Sequence, residues 1–230
     1  MLKKIIVVST IVLFHTHVQF TYAQLVLETN GRPYTGQYRP IVRSLSYQDI
    51  DGSPYLDSRL IPGIVMFDTG DSLIYYLRYD IYSDEVEYLQ NEELLTITNK
   101  DELDVVFLNN NKFIYKTYRI NDREYNGYLV QSVTNQCNLY QKHRVDFQGA
   151  KPPKSSYEPG TPDKFIKRKV SWLYSCGEDP ITLFTPDNKS LAKITGSYYK
   201  QVSGYMKENK LKPGREGDII LIFEYYNSLL

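Results

Sequence analysis

Histidine is scarce in this chain, which has 3 histidines among 230 residues. His15 and His17 lie in the first 23 residues, and His143 is the only histidine beyond them. A histidine base for a nucleophile, or a cluster of histidine metal ligands, would therefore have to use His143. Cys137 precedes it by six residues. This is poor spacing for a shared metal, so the sequence disfavours a histidine-based metal centre.

Long apolar runs are also lacking. The N-terminal run from Ile5 to Phe14 spans about ten residues, whereas a membrane-spanning helix needs about 20. Lys3 and Lys4 precede this run, and the small Ala23 follows it. This order predicts a signal peptide over residues 1–23, export to the periplasm or the cell exterior, and no transmembrane span in the mature chain.

Neither sign of charge is in excess, since the chain has 27 Lys and Arg residues and 27 Asp and Glu residues. The predicted leader contains Lys3, Lys4 and no acidic residue, so its removal lowers the basic count from 27 to 25 and leaves a net charge of about −2. This balance argues against nucleic acid or an acidic membrane as the partner. One cluster is basic: Lys164, Lys167, Arg168 and Lys169. It is either an anion-binding patch or a solvated strand face, and we expect the strand face.

Cysteine is limited to Cys137 and Cys176, which both fall in the predicted exported part. An oxidising compartment favours a disulfide between them, and the alternative is two buried free thiols. We expect the disulfide.

Tyrosine is abundant, with 22 residues against 9 Phe and 1 Trp. Residues 62–147 contain short alternating runs between turn signals, which is typical of antiparallel strands. From Ser72 to Tyr82, for example, alternation predicts one core face and one second face. The core face comprises Leu73, Tyr75, Leu77, Tyr79 and Ile81, and the second comprises Ile74, Tyr76, Arg78, Asp80 and Tyr82. Asn126-Gly127 is the strongest hairpin-turn signal.

The spacing of apolar residues changes after residue 184. A helix is predicted by apolar residues at three-and-four spacing: Leu191, Ile194, Tyr198, Val202, Tyr205 and Met206. Pro213-Gly214 ends this helix. We expect a second helix to begin near Asp218. The predicted fold class is mainly β (α+β), an antiparallel sheet, sandwich or half-open barrel with a short helical C-terminal tail. The predicted organisation is a signal peptide over 1–23, a β domain over 24–184 and a helical segment over 185–230.

Residues 67–73, FDTGDSL, contain two overlapping hydrolase signatures. Asp68-Thr69-Gly70 resembles the loop of aspartic peptidases, which need a second carboxylate from another lobe or subunit. Asp71 departs from that family, which places a small residue after the glycine. Asp-Thr-Gly is also ordinary turn chemistry, and we expect a turn between two strands.

Gly70-Asp71-Ser72-Leu73 resembles the nucleophile block of the Gly-Asp-Ser-Leu esterases. That family implies Ser72 as nucleophile, a following helix and a C-terminal Asp-x-x-His pair. Here the residues after Ser72 alternate as a strand, and Tyr140 stands where the Asp before His143 would be. The sequence therefore predicts no catalytic residue, with a hydrolase centred on Asp68 or Ser72 as the alternative.

Asp80, Asp84 and Glu87 are weak candidates for a calcium site. A hairpin loop over residues 82–85 would place Asp80 opposite Glu87, and like charges in that position are unfavourable. A Ca²⁺ ion could relieve this repulsion. An exposed ion pair from Arg78 to Glu87 would do so more simply, so we expect no metal site and no cofactor.

Two blocks resemble those of uncharacterised exported proteins of Gram-negative bacteria. The matching residues are Leu77-Arg78-Tyr79-Asp80 in a strand and Tyr225-Tyr226-Asn227 in a terminal helix. The resemblance implies a fold and an export route, and it implies no activity.

These features predict an exported β-rich protein that binds an envelope or extracellular ligand through a Tyr-lined surface without catalysis. The ligand could be a glycan, a peptide, a lipid or a protein. A periplasmic lipid or lipoprotein carrier is a further alternative, and it predicts a dry apolar cavity behind the helices.

Overall fold

A computed structural model describes residue 47 and residues 49–153 and 160–230. The predicted signal peptide, residues 1–23, lies outside the described residues. Among those described, no helix is long and apolar enough to cross a membrane.

The chain is mainly β, as the alternating pattern predicts. Twelve strands are followed by three helices in the described part: β1 (Ile61–Phe67), β2 (Ser72–Asp80), β3 (Glu85–Gln90), β4 (Glu93–Thr96), β5 (Leu103–Leu108), β6 (Asn111–Ile120), β7 (Arg123–Val133), β8 (Cys137–Lys142), β9 (Val145–Gln148), β10 (Lys164–Lys167), β11 (Ser171–Cys176), β12 (Thr182–Phe184), α1 (Asn188–Thr195), α2 (Tyr199–Glu208) and α3 (Glu216–Asn227).

Ten strands form one sheet in the order β12-β11-β8-β7-β6-β5-β1-β2-β3-β4, and β9 pairs with β10 separately. Neighbours in this order are antiparallel. In addition, Thr182 of β12 pairs in parallel with Arg119 of β6, so the sheet curls back on itself at one end. The antiparallel architecture with a helical C-terminal segment is confirmed.

The core face expected for β2 is confirmed, since Leu77, Tyr79 and the following Ile81 are buried. They join the largest apolar cluster, which also contains Phe113 and Tyr128. Alternation forces this outcome because successive strand side chains point to opposite faces of the sheet.

The helices cover a second apolar cluster on β8 and β11. Val202 of α2 and Ile219 of α3 are completely buried there, beside Leu139 and Trp172. The single tryptophan is thus a core residue. The side chain of Asn227 fixes α3 to the sheet: its Nδ2 donates to the Cys137 carbonyl, and its Oδ1 accepts from the Cys137 N–H, both at 2.8 Å.

Cys137 and Cys176 form the expected disulfide. They are directly opposed on β8 and β11, and their Cα atoms are 4.0 Å apart. The bond therefore ties two adjacent strands beneath the helices.

The predicted turn at Asn126-Gly127 is wrong. Both residues lie inside β7, where Asn126 pairs with Thr117 of β6. The turn falls at Asn121 and Asp122, whose φ angles of 47° and 63° suit a two-residue hairpin turn. Asn and Asp tolerate this left-handed region better than most residues.

The helical boundaries also differ from prediction. The continuous helix expected from Leu191 to Met206 is two helices, separated by a 3₁₀ turn over Gly196–Tyr198. The predicted last helix is confirmed, and it begins at Glu216, two residues before Asp218. Arg215 and not Asp218 holds the N-cap position, and the Asp218 carboxylate accepts the Lys212 N–H.

Candidate functional site

The FDTGDSL segment forms the turn between β1 and β2, as expected. Gly70 has a φ of 85°, its N–H donates to the Phe67 carbonyl, and the Phe67 N–H donates to the Asp71 carbonyl. Asp68 is exposed on this turn. Within the described residues, neither Asp68 nor Ser72 makes a side-chain hydrogen bond to a second carboxylate or to a histidine.

His143 lies in a different environment, between β8 and β9. Burial lowers its pKa below the ordinary value of 6.5, while the nearby carboxylate of Glu216 opposes this shift. The groups that act on His143 are therefore Glu216, Lys142 and Lys167. These groups do not include Asp68 or Ser72, so they supply neither a second carboxylate to Asp68 nor a histidine base to Ser72.

The predicted register of the β2–β3 hairpin is wrong: the loop lies one residue earlier than expected, which shifts the partner of each β2 residue by two positions along β3. Its loop is residues 81–84, so Asp80 lies opposite Glu85 and Arg78 lies opposite Glu87. Asp84 takes a φ of 56° in the turn, so pairing in β3 begins at Glu85 and not at Val86 as predicted. The opposed like charges are thus Asp80 and Glu85.

Asp80 and Glu87 are both fully buried, and each has its own partner. Asp80 Oδ1 accepts the N–H groups of Tyr82 and Ser83, at 3.0 and 3.1 Å. Glu87 Oε2 pairs with Arg78 Nε at 2.6 Å. The expectation of an exposed Arg78–Glu87 pair is therefore only half right: the pair exists, but Glu87 is completely buried and Arg78 is partly buried. The Arg78 guanidinium also stacks 3.9 Å from the Tyr55 ring centre.

Asp84 joins the hairpin loop to β7 and β8. Its Oδ2 lies 2.8 Å from Lys142 Nζ, and its Oδ1 accepts from the Tyr79 hydroxyl at 2.5 Å. Lys142 Nζ also donates to the Tyr128 carbonyl, whereas the Tyr128 N–H donates to Asp84 Oδ1. The ion pair thus provides hydrogen-bond partners for the Tyr128 N–H and carbonyl, which lie beyond the last β7–β8 residue pair.

Glu85 and Lys100 form the last of these pairs, at 2.6 Å. Burial raises the pKa of Glu85, although Lys100 opposes the change. The Lys100 ammonium lies 5.1 Å from the Tyr115 ring centre and 5.7 Å from that of Tyr128. Its cation–π contacts tie the hairpin to the face of β6 and β7.

The three weak calcium candidates are therefore each engaged by protein groups. No cluster of three or more His, Cys, Asp or Glu side chains with metal-binding geometry occurs among the described residues. Asp80 caps a turn, Asp84 pairs with Lys142 and Glu87 pairs with Arg78.

An apolar surface crosses the face of β5, β1, β2 and β3 that points away from the largest core cluster. One row contains Phe107, Ile64 and Ile74, which the register places side by side. The next row contains Pro62, Tyr76 and Leu89, again as direct neighbours. We call these six residues the outer apolar face. Its large side chains are 37% to 55% exposed.

The sequence contained a signal for this face that the strand prediction did not use. Ile74 and Tyr76 stand on the second face of the alternating β2 pattern, where an exposed strand usually carries polar residues. Their neighbours on β1, β3 and β5 could not be assigned without the strand order.

A second feature is a cleft on the opposite face, at the β6–β7 hairpin. Its volume is about 460 Å³, and apart from Leu103 it is lined by residues with polar groups: Thr98, Lys100, Asp101, Tyr115, Lys116, Thr117 and Asn126. We call it the β6–β7 cleft. Strand alternation places Tyr115 and Thr117 on the same side of β6.

These features define a mainly β protein with a helical C-terminal segment, an outer apolar face and a polar cleft. No protein-family model, curated protein or solved structure matches the chain at a significant level. The resemblance to exported proteins of Gram-negative bacteria stays a prediction.

Proposed function

We propose that this protein is exported and acts without catalysis by binding a partner protein through the outer apolar face. The observation that carries the proposal is the adjacency of Phe107, Ile64 and Ile74 in one row with Pro62, Tyr76 and Leu89 in the next. Isolated exposed apolar residues are normal on protein surfaces, but six neighbours on four strands form a contiguous patch.

The composition of the patch fits the centre of a protein interface. Tyr76 and Phe107 supply aromatic area, and the other members are aliphatic or proline. Interface centres are enriched in aromatic residues, are more apolar than the surrounding surface and are depleted in Lys, Glu and Asp. One partner of a standard interface contributes about 800 Å², so residues around these six would have to complete the contact. A polar rim would supply the rest.

The extended shape of this face favours a protein over a single lipid. A carrier would enclose an acyl chain in an apolar cavity, whereas the β6–β7 cleft is polar and the outer apolar face is an open sheet surface. An open sheet face suits another apolar surface, because two sheets or a sheet and a helix pack face to face.

Export is supported by the disulfide between Cys137 and Cys176, since disulfides persist in oxidising compartments. The predicted leader gives a direct test. N-terminal sequencing of the protein isolated from outside the cytoplasm is expected to begin at Gln24. A cytoplasmic protein beginning at Met1 would contradict export and leave the binding face to be tested separately.

Photo-crosslinking in the native host tests the binding face. A photoreactive phenylalanine analogue replaces Tyr76 in one protein and Tyr125, a comparably exposed aromatic residue on β7, in another. We expect one defined adduct with a different protein from position 76 and none from position 125. Absence of an adduct, an adduct with a second copy of this chain, or equal adducts from both positions would overturn the proposal.

Purified components then test the contact quantitatively. Ile74→Asp is expected to weaken binding of the crosslinked partner by about tenfold or more, because a charge would be buried in the interface. Leu221→Asp on α3 is the matched control, since Leu221 is similarly exposed. Equal affinity of the two variants would argue against the face.

A further inference from the structure

The β6–β7 cleft carries an inference that goes beyond the proposed partner protein. We propose that this cleft binds a neutral saccharide unit. It lies on the face of the sheet opposite to the outer apolar face, because Tyr115 has the strand parity of the buried Phe113, whereas Phe107 pairs with Lys112. The two sites can therefore be disrupted independently.

The dimensions of the cleft suit a small ligand. Its volume of about 460 Å³ falls within the range of protein sites for small molecules. The lining combines hydroxyl, amide, ammonium and carboxylate groups with one half-buried aromatic ring, that of Tyr115. A pyranose has the matching chemistry, because it presents hydroxyl donors and acceptors around its rim and C–H groups on its faces.

The charge of the cleft argues for a neutral ligand. Lys100 is already ion-paired with Glu85 at 2.6 Å, so its ammonium charge is balanced. The other charged lining residues, Asp101 and Lys116, have opposite signs. A site for phosphate or sulfate would instead concentrate uncompensated Arg or Lys side chains. The cleft offers many hydrogen-bonding groups and no net charge.

Several of the polar groups are held in place before any ligand arrives. Thr117 and Asn126 are direct cross-strand neighbours, and the Thr117 hydroxyl donates to Asn126 Oδ1 at 2.6 Å. This bond fixes the Asn126 amide and leaves its Nδ2 with two N–H donors for a ligand. Lys100 is held by Glu85 and by the rings of Tyr115 and Tyr128. Such preorganisation lowers the entropy cost of binding.

Tyr115 forms the apolar wall of the cleft. Its ring contacts Tyr128 edge-to-face with 5.1 Å between the centroids, so its orientation is fixed by the core. Tyr128 is itself buried, and its hydroxyl has no hydrogen-bond partner among the described residues. The aromatic wall is therefore part of the sheet and not a mobile surface side chain.

Saturation-transfer difference NMR tests this site with defined probes. The probes are glucose, galactose, mannose, N-acetylglucosamine and their homodisaccharides at millimolar concentration, with inorganic phosphate measured separately by ³¹P line broadening. We expect transfer to at least one neutral sugar and no broadening of phosphate. Transfer to none of the sugars, or broadening of phosphate that the sugars do not reverse, would overturn the proposal.

Variants locate any sugar that binds. Asn126→Ala is expected to weaken its affinity by about tenfold, because a donor and the fixed Thr117 contact are lost together. Glu124→Ala is the matched control, since Glu124 lies on the same strand and pairs with Arg119 outside the cleft lining. Tyr115→Leu keeps an apolar core side chain and is also expected to weaken binding. Equal affinity of Asn126→Ala and Glu124→Ala would place the sugar elsewhere and overturn the assignment.

Sugar binding in the β6–β7 cleft is independent of the proposed binding of a partner protein. Ile74→Asp alters the outer apolar face alone, so its sugar affinity is expected to equal that of the unmodified protein. Loss of sugar binding in Ile74→Asp would contradict the assignment to the β6–β7 cleft.

Discussion

Asp84 and Lys142 form an ion pair, with 2.8 Å between Oδ2 and Nζ, at the point where β7 and β8 cease to pair. Both groups also bond the backbone of Tyr128. Gly127 makes this arrangement possible, because a Cβ at that position would overlap Asp84 Oδ2 and lie 2.9 Å from Lys142 Nζ. A residue that resembles a turn signal therefore lies against the ion pair, and the two charged groups would have to move to admit a side chain there.

Gly127→Ala is expected to lower the free energy of unfolding by about 1–3 kcal/mol, because the methyl group displaces the ion pair. Urea unfolding followed by circular dichroism measures this change. The control is Gly204→Ala in α2, where a Cβ meets nothing within 4 Å. It is expected to stabilise by about 0.5–1 kcal/mol. The same sign for both variants would contradict the packing argument.

Lys142→Met removes the cation and leaves Asp84 with the Tyr79 hydroxyl and the Tyr128 N–H. We expect a loss of about 1–3 kcal/mol, since the Tyr128 carbonyl also loses its donor. Arg119→Met breaks the exposed ion pair with Glu124 and is expected to cost less than about 0.5 kcal/mol. Chemical denaturation measures the free energy of unfolding of the two variants. Equal losses would show that the partial burial of the Asp84–Lys142 pair adds nothing to stability.

His143 should make folding stability sensitive to mild acid. Burial lowers its pKa in the folded protein below the ordinary value of 6.5. The unfolded chain therefore binds the proton first, and stability falls as pH decreases through 6.5 toward the folded pKa. Between about pH 7 and 5 we expect His143→Gln to lose less stability than the unmodified protein. Parallel pH profiles for the two proteins would contradict this assignment.

The disulfide is expected to contribute up to about 4 kcal/mol, because it closes a loop with a sequence separation of 39 residues. Thermal unfolding with and without a reductant measures the contribution. A Cys137→Ala/Cys176→Ala double variant is the control, and the reductant is expected to leave its midpoint unchanged. An unchanged midpoint for the unmodified protein, with both thiols shown to be free, would indicate that the bond adds no stability.

Several parts of the fold follow from local sequence. The alternation through Leu73, Tyr75 and Leu77 predicted both strand and core face, because a strand has a side-chain period of two. The three-and-four spacing after Leu191 predicted helix for the same kind of reason. The disulfide was also expected from two cysteines in a predicted exported chain.

Other parts depend on contacts that local sequence cannot specify. Asn121-Asp122 and Asn126-Gly127 both have turn chemistry, and the pairing of β6 with β7 selects the first. The β2–β3 register similarly depends on Asp84, whose carboxylate reaches Lys142, 58 residues away along the chain. Local propensity cannot weigh such distant partners.

The sequence by itself determined that this chain builds an antiparallel sheet followed by helices, because side-chain periodicity is a local property. Only the tertiary structure decided which exposed residues meet. Strand order brings Phe107, Ile64, Ile74 and Tyr76 together on one face, and hairpin register brings Thr117 to Asn126 in the cleft. Adjacency across strands is fixed by backbone pairing and core burial acting over the whole sheet, so surface sites of this kind emerge only when the chain is folded.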